Sequence, residues 1–391
     1  MQATNPILEA GKLGQSFWFD TLSRKLLSSG ELRRMIEVDG LRGVTSNPTI
    51  FEKAMVGTGD YDAELRALVE TGLRDSKAIY ECLAIADIRA AADLLHPVYT
   101  QTNRSDGFVS LEVSPHLAHS TEGTVVEARR LFHEVQRDNV MIKVPGTAAG
   151  MPAVERLIGE GVNVNVTLLF GLDAYRACAE AYIKGLERWE ASGGDLRKVS
   201  GVASFFLSRI DTAVDERIKA LAARPEPPDA GAAARLEGLR GKVAIANAKL
   251  AYVHYQELSD GMRWRALSRR GAHPQRLLWA STGTKNPASP KAMYIDPLIG
   301  RDTVSTVPAE TYRAFLQQGH VRPSLTQGLA AAADVMSDLA AAGISIDEVT
   351  DQLLEAGIAS FCASFDKLIE ALDRQRLQLT TAGPGASLPA P

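Results

Sequence analysis

The chain of 391 residues can bury a large core, and roughly one to three domains fit that length. With 45% hydrophobic residues, 23% charged residues and a formal net charge of −4, it has a globular composition and shows no sign of a nucleic-acid or membrane-surface partner. Cys82, Cys178 and Cys362 lie far apart without C-x-x-C spacing, the first residues lack a secretory signal's basic and apolar regions, and no apolar run reaches bilayer length, which argues against a disulfide framework, a zinc site, export and a membrane span.

Taken in chain order, eight short segments read as strands. Phe17–Thr21, Gly43–Asn47, Phe108–Val113 and Val140–Val144 form the first half. Val162–Leu168, Val199–Phe205, Leu277–Thr282 and Thr303–Val307 form the second. Most are separated by amphipathic helical stretches, as where Ile79, Cys82, Leu83 and Ala86 recur at helical spacing, or Val154, Leu157 and Ile158 do so before Gly161. This α/β alternation argues a parallel sheet with helical crossovers, and eight units predict a closed (β/α)8 TIM-type barrel. Within the strands, Val162, Val164 and Val166 oppose Asn163, Asn165 and Thr167, while Val109, Leu111 and Val113 oppose Ser110 and Glu112. A sheet apolar towards its helices and polar on its other face suits a barrel with a reactive lumen; a doubly wound open sheet wants both faces apolar.

A helical insertion, about 207–276, is expected after strand six. Ile210–Ala223 reads as one helix, Arg-Pro-Glu-Pro-Pro-Asp breaks it, and Ala232–Leu258 reads as a second, longer one. Among extra C-terminal helices, one marked by Leu353, Leu354, Ile358, Phe361, Phe365 and Leu368 is expected on the barrel's outside or at its mouth. Residues 1–375 are read as a single domain and 376–391 as a disordered tail.

Lys143 carries the most chemical information. It sits in Asn-Val-Met-Ile-Lys-Val-Pro-Gly-Thr with apolar neighbours on both sides. An ammonium buried there loses water, which lowers its pKa and favours a neutral, nucleophilic amine. The alternative is a stem packed along a strand end with its head reaching solvent. Glu112 faces the lumen near the carboxyl end of strand three, where barrel active sites form, and Asp20 ends strand one. Two carboxylates and one lysine can divide acid and base roles if their environments separate their pKa values. Taken alone, Asp20 reads more readily as a helix N-cap, and Glu112 is also readable as the salt-bridge partner of Lys143.

Asn47, Asn165 and Thr167 stand at predicted strand ends, where they can fix polyol hydroxyls or hold a reacting water; singly, each also reads as a turn or capping residue. Arg209 after strand six and Lys285 after strand seven offer cations to a phosphate, although Arg209 can equally bridge a surface carboxylate. Metal and cofactor chemistry find little support. His116 and His119 form an H-x-x-H pair without a third spaced ligand, and Walker, Gly-x-Ser-x-Gly and Gly-x-Gly-x-x-Gly patterns are missing.

In combination, these segments resemble the transaldolase family, in its longer, actinobacterial-like branch. Phe-Trp-Phe-Asp-Thr-Leu-Ser-Arg, Gly-Val-Thr-Ser-Asn-Pro-Thr-Ile-Phe, Ser-Leu-Glu-Val, Ile-Lys-Val-Pro-Gly-Thr and Asn-Val-Asn-Val-Thr-Leu-Leu-Phe occur in the family's order on five successive strands. The likeness spans roughly Ser16 to Val307 and includes Trp-Ala-Ser-Thr-Gly-Thr-Lys-Asn on strand seven. It implies that Lys143 forms an imine with a ketose phosphate and that Asp20 takes and returns the proton of the substrate hydroxyl. It further implies that Glu112 acts through a water held by Thr167, that Asn47, Asn165 and Ser204 hold the dihydroxyacetone fragment, and that Arg209 binds phosphate. The implied reaction moves that fragment from sedoheptulose 7-phosphate to glyceraldehyde 3-phosphate, giving erythrose 4-phosphate and fructose 6-phosphate in the non-oxidative pentose phosphate pathway without a cofactor. The chain departs from the family's usual Ser-Pro-Phe with Ser204-Phe205-Phe206, and Lys285 stands in for a second phosphate arginine.

Two rival readings remain open here. A fructose-6-phosphate aldolase releases free dihydroxyacetone and has a tyrosine where this chain has Phe206; a phenol can deliver a proton to the enamine and phenylalanine cannot. A non-catalytic sugar-phosphate-binding barrel would not be expected to keep Lys143, Asp20 and Glu112 together. A cytoplasmic monomer or homodimer is expected, acting on small sugar phosphates.

Overall fold

A computed structural model describes residues 5–223 and 230–381. Eight parallel strands form a closed barrel, and each is buried nearly throughout. They are β1 (Gln15–Phe19), β2 (Gly43–Val44), β3 (Phe108–Glu112), β4 (Val140–Pro145), β5 (Val164–Leu169), β6 (Gly201–Phe206), β7 (Arg276–Ala280) and β8 (Thr303–Val307). β8 pairs back onto β1 from Gln15–Thr303 to Phe19–Val307, which closes the ring and leaves no edge. The predicted barrel and all eight segments are found, with boundaries moved by a few residues. β2 is shortest because Asn47 caps the helix Pro48–Met55, its Oδ1 accepting from the Ile50 amide at 2.9 Å.

The lower end of the lumen is polar, with a buried network beside a cavity of about 230 Å³ at the amino ends of the strands. Trp18 is fully buried there, and its Nε1 donates to Asp106 Oδ1 at 2.8 Å. Asp106 also accepts from Ser16 and from Arg276 at 3.3 Å. β2 passes over the indole only because residue 43 is glycine; a Cβ there would lie 2.5 Å from the Trp18 ring. The carboxyl ends of the strands, where barrel active sites form, lie on the far side of this network.

The insertion after β6 differs from the sequence expectation in two respects, one being a short further helix, Met262–Arg269, before β7. Ser208–Ala222 is helical as predicted, and the expected break at 224–229 lies outside the described residues. The second helix, however, is divided into Ala230–Leu239 and Val243–Asp260. Gly241 adopts a left-handed φ of 66° at the division, and its amide donates to Asp215 at 3.2 Å. The second segment restarts on Asp211, which accepts from the Ala244 amide at 2.8 Å and from the Tyr294 hydroxyl at 2.8 Å. Two carboxylates of the preceding helix thus cap the chain where glycine lets it turn. After β8 come the helices Ala309–Gln318, Leu329–Ala341 and Ile346–Thr381. The last is still helical beyond the predicted domain end at 375, because Leu379 remains buried; residues 382–391 lie outside the described part.

Burial pushes the Asp211 carboxyl up to about 6 from 3.8, against the opposing hydrogen bonds from Ala244 and Tyr294. The folded state therefore binds a proton that the unfolded chain releases, and this contribution is complete below about pH 4 and lost as pH rises through about 6. Relative to Asp211→Asn, the native chain should lose on the order of 2–3 kcal/mol of stability across that window, read by denaturant unfolding at each pH. Parallel curves for the two chains would contradict this.

Candidate active site

Strand register assembles the centre of the site. β4 places Lys143 directly beside Glu112 of β3 and Asn165 of β5. The Lys143 side chain is buried; its Nζ donates to the Ser46 carbonyl at 3.0 Å and stands 3.2 Å from Glu112 Oε2. Snorkelling to bulk solvent is thereby set aside, and the salt bridge read from the sequence is present. Both Glu112 carboxylate oxygens and the Thr167 hydroxyl are buried without a hydrogen-bond partner among the described residues, so their accepting capacity is unspent. Burial raises the Glu112 carboxyl above its ordinary value, the charge of Lys143 opposes this, and Asp20 adds to the rise.

Above this centre lies a cavity of about 520 Å³. Of the predicted site residues, Lys143, Asp20, Thr167, Asn47, Ser204, Phe206, Arg209 and Lys285 all line it. Its size falls within the range of about 300–1,000 Å³ usual for small-molecule sites. Asp20 is not a helix cap; Ser23 caps the next helix, Arg24–Ser28. Instead Asp20 Oδ1 accepts from the Thr45 hydroxyl at 2.7 Å, and Thr45 meets Thr306 at 2.6 Å. Burial raises the Asp20 carboxyl, and the Thr45 hydrogen bond, Lys143 and Lys285 each pull it back.

Glu112 and Asn165 stand behind the cavity surface. The Asn165 amide nitrogen donates to Ser110 Oγ at 3.0 Å and its oxygen accepts from Ser204 at 2.7 Å. Asn165 therefore orients the serine that reaches the cavity. Asn47 both caps a helix through its oxygen and lines the cavity. In Ser204-Phe205-Phe206 the departing residue faces outward, where Phe205 packs edge-on to Trp279 at 6.3 Å and Tyr175 at 6.4 Å. Ser204 and Phe206 keep the lumen side, so the departure leaves the cavity lining intact.

Arg209 makes no ion pair or hydrogen bond with any described residue; the surface-carboxylate reading does not hold. Its guanidinium carbon lies 5.6 Å from the Phe206 ring centroid and 5.9 Å from that of Phe361. Lys285 and Lys53 also line the cavity, each without a carboxylate partner among the described residues. A phosphate entering here would meet unspent donors and positive charge. His116 and His119 do not converge on a metal: they pair with Asp366 at 2.7 Å and Glu355 at 3.5 Å on the last helix.

Sequence reasoning missed Thr45, Thr306, Lys53 and Phe361. Thr45 was within reach, since Gly43, Thr45 and Asn47 alternate onto one face. Phe361 had no local signal, because in an amphipathic helix it reads as core.

Residues 17–372 match the family described as transaldolase/fructose-6-phosphate aldolase. A Nostoc protein named Transaldolase 2 is 48% identical over 373 residues, 95% of this chain and 97% of its own. A Trichodesmium erythraeum protein named Transaldolase is 47% identical over 386 residues, 96% of this chain and 99% of its own. One named Transaldolase 1, from Streptomyces avermitilis, is 45% identical over 361 residues, 92% of each chain.

If Asp20 must be ionised for turnover, removing the Thr45 hydroxyl should raise its pKa further, since that hydrogen bond favours the carboxylate. Thr45→Val should accordingly move the acid limb of the pH–rate profile to higher pH. A fall in rate with an unmoved limb would separate Asp20 from the reaction.

Proposed function

This chain belongs to the transaldolase and fructose-6-phosphate aldolase family, and within it we propose that it is a transaldolase working through an imine on Lys143. The observation that carries the reading is the Lys143 amine, buried at the base of the cavity and held in register beside Glu112, with Asp20 in the same cavity. Attack on a ketose carbonyl requires the amine to give up a proton. Glu112, whose carboxyl burial has made more basic, is 3.2 Å away to receive it. Loss of water from the carbinolamine then needs a proton delivered to its oxygen. Glu112 and Thr167, both with free hydrogen-bonding capacity, can do this through a shared water.

The iminium accepts the electron pair as the carbon–carbon bond breaks, and Asp20 removes the proton from the adjacent hydroxyl. Ser204, held by Asn165, and Asn47 fix the hydroxyls of the retained three-carbon enamine. Arg209, with Lys285, takes the phosphate of donor and acceptor. When the acceptor aldehyde adds, Asp20 returns its proton to the new hydroxyl and the imine is hydrolysed by the reverse of its formation. The substrates on this reading are sedoheptulose 7-phosphate and glyceraldehyde 3-phosphate, or fructose 6-phosphate and erythrose 4-phosphate in reverse. The setting is the cytoplasmic pentose phosphate shunt. Among the described residues no single helix is long and apolar enough to cross a membrane.

Phe206 favours transfer over release. An aldolase must protonate its enamine, and the ring that Phe206 presents to the cavity has no hydroxyl to do so. Without an acceptor, release of free dihydroxyacetone from fructose 6-phosphate should run on the order of a hundredfold slower than transfer. Release as fast as transfer would assign the chain to the aldolases.

Borohydride reduction in the presence of fructose 6-phosphate should leave a three-carbon adduct on the Lys143 peptide and none in Lys143→Ala. An adduct on another lysine would remove the mechanism's nucleophile. Asp20→Asn should retain trapping of the donor imine while turnover falls on the order of 10²–10³-fold.

A further inference from the structure

The second ring beside Arg209 comes from outside the barrel. Phe361 sits in the helix Ile346–Thr381, one turn after Gly357 on the same face. Gly357 lets the helix approach closely: a Cβ there would lie 2.9 Å from Leu168 Cδ2 and 3.4 Å from Arg209 Nη1. The helix is fastened at this height by Thr49 to Ser364 at 2.9 Å, His116 to Asp366 at 2.7 Å, and an edge-on contact of Phe365 with Tyr80 at 5.5 Å. With no carboxylate partner among the described residues, the Arg209 guanidinium is left to packing, and two aromatic rings stand beside it. Here one neighbour, Phe206, belongs to the barrel, and the other belongs to this helix.

We propose that Phe361 is a positioning residue for Arg209. With Phe206 it flanks the guanidinium and holds it at the cavity with its donors unspent, so preference for phosphorylated over unphosphorylated substrates depends on the C-terminal helix. The inference rests on Arg209 being the phosphate ligand and adds the group that orders it. A cation over an aromatic face in a partly desolvated site is held strongly enough for its loss to be measurable, and a ring is required for the effect.

The test compares glyceraldehyde 3-phosphate with unphosphorylated glyceraldehyde as acceptors, at a saturating donor, in Phe361→Leu, Phe361→Met, Phe361→Tyr and Arg209→Ala. Preference for the phosphorylated acceptor, as the ratio of kcat/KM values, should fall about tenfold in the Leu and Met variants, chiefly through KM, and return in the Tyr variant. Borohydride trapping on Lys143 identifies the variants whose centre is intact, and Met offers a nearly volume-matched replacement should Leu fold poorly. Equal loss towards both acceptors, or no loss, overturns the role of Phe361. Arg209→Ala retaining the preference would overturn the phosphate reading itself. Loss in Arg209→Ala but not in the Phe361 variants overturns this inference alone.

Discussion

The site is organised around two opposite charges held 3.2 Å apart, Lys143 and Glu112, with both side chains withdrawn from solvent. Taking a carboxylate and an ammonium out of water costs several kcal/mol per ion even after relaxation, and their attraction offsets that only when the remaining hydrogen-bonding capacity is met. Among the described residues it is not met: Lys143 has one backbone acceptor at Ser46, and the Glu112 oxygens have no aligned donor. A barrel selected only for stability would fill these positions with apolar side chains, as it does around Val144 and Leu111 on the outward face. The cost makes sense where a proton has to move between the two groups and a substrate completes the hydrogen bonding.

The surroundings sort the remaining charges in the same sense. Over the outer surface, cations find carboxylates: Arg130 meets Glu81 and Glu134, and Arg263 meets Glu180 and Glu187. At the cavity Arg209, Lys285 and Lys53 have none among the described residues, while Asp20 is turned towards the hydroxyl of Thr45. Asp20, in the same cavity, balances part of that positive charge through its interaction with Lys285, and burial keeps it basic. That division suits an anionic ligand whose hydroxyl proton must be removed.

The barrel and its reactive face were legible because strand periodicity is local. Val164 and Val166 against Asn165 and Thr167 report two environments within a few residues, and the same holds for Leu111 against Ser110 and Glu112. Lys143 and Glu112 could be placed on one face for the same reason, and register made them neighbours. What could not be read were relations set by tertiary approach. The break at Gly241 needed Asp211 and Asp215 on the preceding helix, which a single helical period over Ala232–Leu258 does not reveal. Asn165 reads as a substrate ligand from its strand position, yet Ser110 and Ser204 claim its hydrogen bonds. Phe361 is separated from Arg209 by about 150 residues of sequence, and only the docked helix brings the ring to the guanidinium.

The two ends of the barrel accordingly answer to different constraints. At the lower end Trp18, Asp106 and Arg276 satisfy one another beside the smaller cavity, using only groups of the barrel and its strand entrances. At the upper end the ring alone is insufficient, because Arg209 has its second aromatic flank from Phe361, on a helix that follows β8 in the chain and reaches the cavity. The helix that supplies it is tied to Thr49 beyond β2 and to His116 beyond β3, close in sequence to Ser46 and Glu112, the two partners of the lysine. Displacing this helix would disturb the phosphate end of the site through Phe361, and would also release contacts close in sequence to Ser46 and Glu112. Anion recognition thus depends directly on a segment outside the barrel, through the ring that Phe361 sets beside Arg209.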